Sequence, residues 1–153
     1  MRKFAFILVL FSIVDLSAQE LSIGANGKYV YSDSISFESI SKVDVFNKCM
    51  TWIFKSYANP KEVLNYSNEN TGEIIVNANF PTNLFGKKGW IKHTMILSCS
   101  DNSLRVEFTN ISYFSTGSGD MPLEGRMMSK QKVIDEANSN IKATILSIIS
   151  SVK

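Results

Sequence analysis

The chain has 153 residues, with 16 Lys+Arg against 14 Asp+Glu and 44% hydrophobic residues. That length suits one domain, and the apolar fraction excludes wholesale disorder. A formal charge of +2, two cysteines, eight Gly and three Pro exclude a strongly basic polyanion binder, a disulfide-dense scaffold, a four-thiolate zinc site and collagen-like or Pro-rich repeats.

Residues 1–18 read as a secretory signal peptide. Arg2 and Lys3 form the positive start, and Phe4 to Val14 is apolar except for Ser12. Asp15-Leu16-Ser17-Ala18 then offers a small-residue cleavage point before Gln19. Those eleven residues reach only about 16 Å as a helix, short of a bilayer core of roughly 30 Å. No Cys stands beside the cleavage point to accept a lipid. Removing the signal takes Arg2, Lys3 and Asp15 with it, so 14 basic and 13 acidic residues remain over 135. Such a chain can bury a core without metal or disulfide help. The expected partition is a signal at 1–18, a flexible lead at 19–27 ending in Asn26-Gly27, and a single domain at 28–153. No later stretch has the length and apolarity of a transmembrane segment.

Lys28 to Phe37, rich in Tyr, Val, Ile and Ser, predicts a strand. Ser41-Lys42-Val43-Asp44 is a capping box that opens a helix. Val45, Phe46, Cys49, Trp52, Ile53 and Tyr57 then recur on one helical face, and Asn59-Pro60 stops the helix. Glu62 to Ser67 and Glu73 to Phe80 predict a hairpin around the turn formers Asn68 to Gly72. Pro81 to Gly89 is a loop. In the strand Trp90 to Ser100, Ile91, His93, Met95, Leu97 and Cys99 point one way, and Lys92, Thr94, Ile96 and Ser98 the other. Asp101-Asn102 turns the chain into Ser103 to Phe114, where Leu104, Val106 and Phe108 oppose Arg105, Glu107 and Thr109. Ser115 to Met128 reads as an irregular Gly-rich loop. From Ser129 to Val152 a helix carries the stripe Ile134, Ala137, Ile141, Ile145, Ile148, Ile149 and Val152.

The element order is β-α-β-β-β-β-α. Both helical stripes need an apolar partner, and one side of an antiparallel sheet supplies it. The expected fold is a two-layer α+β domain with two helices on one sheet face and a largely polar open face. Ser41-Lys42-x-x-Val45-Phe46 leading to Trp52-Ile53, then Val63-Leu64, then Thr71-Gly72-Glu73-Ile74-Ile75-Val76, resembles the exported bacterial domain-of-unknown-function family DUF4468, which has a TATA-box-binding-protein-like (TBP-like) fold. The resemblance runs from about Ser34 to Phe80 and more weakly through Phe114. It implies the TBP-like fold and a bacterial exported protein, and it carries no catalytic residues to this chain.

Candidate chemistry is sparse. His93 is the single histidine, it faces the apolar side of its strand, and no Gly-x-Ser-x-Gly elbow accompanies it. Cys49 and Cys99 both face the layer boundary. In an exported protein they form a disulfide or remain two buried free thiols. Lys87, Lys88 and Trp90 form either a basic-aromatic patch or a solvated loop. The open face carries Lys92 and Arg105 among Asn77, Asn79, Thr94, Glu107 and Thr109. Its mixed charge argues against nucleic acid as a partner. Thr116-Gly117-Ser118-Gly119-Asp120 lacks the Gly-Lys-Ser/Thr ending of a phosphate loop. No cofactor or metal motif is present.

The sequence therefore predicts an exported periplasmic or cell-envelope protein acting as a non-catalytic binding or interaction module. Its partner would be an envelope protein or a small ligand. The alternatives are a periplasmic hydrolase using His93 and a purely structural envelope protein.

Overall fold

The computed structural model describes residues 19–153, and the signal read over 1–18 lies outside them. Pairing starts within the expected flexible lead. Ser22–Ile23 (β1) runs antiparallel to Tyr29–Ser36 (β2). Leu21 is buried, and its amide donates to Asn138 Oδ1 at 2.8 Å. The lead is anchored by that bond and by Leu21. A two-residue strand is too short to show periodicity, so the sequence reading missed it.

Lys42–Ser56 forms α1, and its capping box is in place. Ser41 Oγ accepts from the Asp44 amide at 3.2 Å and donates to Asp44 Oδ2 at 2.7 Å. Pro60–Val63 follows as the short α2, so the strand expected from Glu62 starts only at Leu64. Proline ends α1 and also suits the first turn of a new helix, where its missing N–H costs nothing. Leu64–Asn68 (β3), Glu73–Thr82 (β4), Gly89–Ser100 (β5) and Ser103–Ser115 (β6) form the main sheet with β2. A single 3-10 turn at Leu84–Gly86 joins β4 to β5. Gly119–Pro122 (β7) lies inside the stretch expected to be irregular, and Lys130–Val152 is α3.

The sheet runs β1-β2-β6-β5-β4-β3 and every pairing is antiparallel. β5 and β6 form its centre. Along one edge β6 pairs with β2 over Ser103 to Phe108 and with β7 over Ser112 to Ser115. Between those halves β6 carries a bulge: Asn110 and Ile111 stand opposite His93 alone, and Asn110 has φ 50.

α1 and α3 lie on one face and touch each other and the sheet. Val45, Phe46, Cys49, Trp52 and Ile53 are buried from α1. Val133, Ile134, Ala137, Ile141, Ile145, Ile148, Ile149 and Val152 are buried from α3. They meet Ile74, Val76, Ile91, Met95, Leu97, Cys99, Leu104, Val106 and Phe108 of the sheet. Each large aliphatic side chain so buried contributes roughly 1.5–3 kcal/mol of transfer free energy. The α+β, two-layer fold with both helices on one side is therefore observed.

One end of this sandwich is stitched across its turns. Asp101 Oδ1 accepts from the Lys42 amide at 2.8 Å at the start of α1. Asn102 Oδ1 accepts from Ile40 N at 2.9 Å, while its own N–H donates to Ile40 O at 2.9 Å. Lys42 Nζ donates to Asn70 O at 2.8 Å, and Cys99 N donates to Gly72 O at 2.7 Å. Gly72 has φ +75, and a Cβ there would stand 2.3 Å from the Cys99 carbonyl oxygen, so only glycine fits.

Ile141→Ala should lower unfolding free energy by roughly 2–5 kcal/mol, because it opens a cavity at a site with no exposure. Leu146→Ala, on the same helix but 51% exposed, should cost under about 0.5 kcal/mol. Urea unfolding of the two variants checks the orientation of α3, and equal losses would contradict it.

Candidate functional site

Strand alternation and the β6 bulge decide what the uncovered sheet face displays. Trp90, Lys92 and Thr94 of β5 point away from the helices, opposite Ile91, His93 and Met95. On β6 the extra residue reverses the alternation: Ile111 and Tyr113 turn into the core, leaving Ser112 and Phe114 beside Lys92 and Trp90 on the open side. β4 adds Asn77 and Asn79, and β7 adds Asp120 next to Phe114.

These side chains are mutually engaged. The Trp90 and Phe114 ring centroids are 5.7 Å apart. Lys92 Nζ sits 4.9 Å from the Phe114 centroid and 3.0 Å from Asp120 Oδ2. The Ser112 hydroxyl, and then Lys92, hold the Asp120 carboxyl below its ordinary range. Thr94 Oγ1 donates to Asn77 Oδ1 at 2.8 Å and accepts from Asn110 Nδ2 at 3.3 Å. The result is a polar surface ending in an aromatic pair, indented by a pocket of about 360 Å³ beside the Lys92–Asp120 ion pair.

Of the five residues the sequence suggested for a ligand or partner surface, the structure joins Trp90 and Lys92. Lys87 and Lys88 stand in the loop before β5. Arg105 pairs in register with Ser98, eight positions along β5 from Trp90 and so about 27 Å away, and it hydrogen-bonds Glu107 at 3.2 Å. Strand alternation predicts a face but not the distance along it. The sequence reading also missed Phe114 and Asp120 as members. Phe114 reaches the open face only because of the bulge, whose one local signal is an Asn at a position that needs positive φ.

His93 is 4% exposed on the helix side. It stacks on Phe80 at 4.1 Å between centroids and lies 5.3 Å from Phe108. Nδ1 is 3.4 Å from Ile91 O, and Nε2 has no hydrogen-bond partner among the described residues. Burial lowers its pKa to about 4, against a smaller raising effect of the Ile91 carbonyl. Nδ1 thus faces a backbone carbonyl and Nε2 meets no hydroxyl, thiol or carboxylate among the described residues, so the contacts of a hydrolytic triad are not assembled around His93. Cys49 and Cys99 are both buried and lie against each other, here in the reduced form. A hydrogen bond to Cys99 and then burial push the Cys49 thiol well up, which makes it a poor nucleophile. Among the described residues no group of three or more His, Cys, Asp or Glu is placed to hold a metal ion, and no helix is long and apolar enough to cross a membrane.

The family pattern of DUF4468, a domain of unknown function with a TBP-like fold, matches residues 31–114. A crystal structure of a TBP-like protein from Parabacteroides distasonis is similar to this chain, with a TM-score of 0.73, 23% identity, and coverage of 83% of this chain and 94% of that one. A DUF4468 family protein from Bacteroides ovatus is similar with a TM-score of 0.60, 14% identity, and coverage of 82% of this chain and 88% of that one. At these identities the likeness speaks for the fold. No curated protein matches the chain.

The depressed pKa of His93 has a pH signature. The unfolded chain binds this proton near pH 6.5 and the folded chain only near 4, so the contribution is intact above pH 6.5 and drains away as pH falls toward 4. By pH 4 the loss amounts to about 3 kcal/mol. His93→Phe keeps a ring against Phe80 and removes the titration. Urea unfolding at pH 7 and pH 4.5 should show a shallower acid loss in the variant than in the parent, and parallel losses would refute the assignment.

Proposed function

The chain belongs to the DUF4468 family of TBP-like domains, and on that premise we propose that it is an exported, non-catalytic binding module that meets its partner through the uncovered face of its sheet. The observation that carries this reading is the one-sided placement of α1 and α3. It leaves Trp90, Lys92, Asn77, Asn79, Thr94, Phe114 and Asp120 on a face that no helix among the described residues covers. Half-buried aromatics beside hydrogen-bonding side chains resemble the composition of protein interfaces more than that of a general solvated surface. Paired charges make the face weakly attractive to polyanions, which favours an envelope protein or a small ligand over nucleic acid.

Export rests on the charged start and apolar run of residues 1–18. In an oxidising compartment the inward-facing Cys49 and Cys99 can join in a disulfide across the α1–β5 boundary. Intact-mass measurement of protein from the native host should give a chain beginning at Gln19 and lighter by two hydrogens than its thiol form. A chain that keeps Met1 would refute export, and two labelled thiols after denaturation would refute the bond.

Photo-crosslinking in the native envelope tests the surface. A photoreactive residue at Asn79, exposed on the sheet face, should give a discrete adduct. The same residue at Leu146, exposed on α3, should not. Equal yields at the two positions, or none at Asn79, would refute the sheet-face reading.

A further inference from the structure

The end of the domain opposite the stitched turns holds a cleft of about 440 Å³ that the sheet face does not use. It opens where the Leu84–Gly86 turn, the ends of β6 and β7 and the chain before α3 come together. Its volume is in the range of small-molecule sites, about 300–1,000 Å³. We propose that this cleft binds a single-chain amphiphilic carboxylate, its chain laid along Phe85, Tyr113 and the methionines and its headgroup held by Lys87 and Arg126.

The lining argues for the apolar part. Phe85 packs edge-on against Tyr113 with centroids 5.9 Å apart, and it is held at φ 60, a conformation rare for an aromatic residue. Met121, Met127 and Met128 complete the apolar wall. Met128 is 91% exposed and Phe85 47%, so two of the domain's large exposed hydrophobic side chains converge on this cleft. Unbranched methionines adapt to a flexible chain better than branched side chains do.

The charges argue for the headgroup. Lys87 and Arg126 both line the cleft, no carboxylate does, and neither cation has an ion-pair partner among the described residues. Two unpaired cations beside an apolar wall suit an anion with a hydrocarbon tail, and a guanidinium can grip a carboxylate with two parallel hydrogen bonds. The larger cleft of about 580 Å³ by the β2–α1 connection carries Glu38 and Asp44 as well as Lys48 and Lys153, and so selects no ligand charge.

Methyl-carbon NMR of methionine-labelled full chain tests the assignment directly. Decanoate, kept below its micelle-forming concentration, should shift the methyls of Met121, Met127 and Met128 saturably. Decyltrimethylammonium, with the same tail and the opposite charge, and acetate, with the headgroup alone, should leave them nearly unmoved. Lys87→Ala combined with Arg126→Ala should weaken decanoate binding about tenfold or more. Both residues are exposed, so the fold should hold, and thermal unfolding of the variant verifies that. An equal response to the cationic amphiphile, shifts that never saturate, unchanged affinity in the double variant, or no shift at all would each overturn the proposal. None of these results depends on the crosslinking at Asn79, so the two surfaces stand or fall separately.

Discussion

Burial of two helical stripes against one side of a single antiparallel sheet is the constraint on which the rest of the domain depends. The stripe of α3 runs the length of a 23-residue helix, from Val133 to Val152, and α1 lies beside it. With both helices committed to the same side, the sheet needs apolar residues only at alternate positions of β4, β5 and β6. The other positions are free to be polar. The open face is thus a by-product of the packing solution before it is anything functional.

Much of this was legible in the sequence because it is written in short-range spacing. Ser41 and Asp44 stand three apart, as an N-cap and its partner require, and the two residues are hydrogen-bonded to each other. Ile91, His93, Met95, Leu97 and Cys99 alternate strictly, and all five are buried. What escaped is specified by backbone pairing or by distant segments. β1 and β7 are edge strands of two and four residues, defined by partners rather than pattern. α2 was hidden because proline both stops a helix and starts one. Lys87 and Arg126 line one cleft from opposite ends of the β5–β6–β7 meander, and nothing local links them.

The buried polar groups show the cost of this packing. Tyr31 Oη, Thr82 Oγ1 and His93 Nε2 have no hydrogen-bond partner among the described residues. Each such orphan carries about 1–3 kcal/mol of desolvation cost. The dense hydrocarbon layer around them absorbs it. For His93 burial keeps the imidazole neutral at ordinary pH, and its ring stacks on Phe80.

The stitching at Asp101, Asn102 and Gly72 divides the molecule into two poles with different tolerance of length change. An inserted residue in any of those turns would break bonds to a neighbouring turn as well as its own, so chain length is frozen there. At the opposite pole, Gly117 and Gly119 turn β6 into β7 with open space around them, and Gly86 at the end of the 3-10 turn is likewise open. Insertions and deletions should therefore be tolerated at the second pole and resisted at the first, so the loops at one end can change length while the rest of the scaffold stays in register.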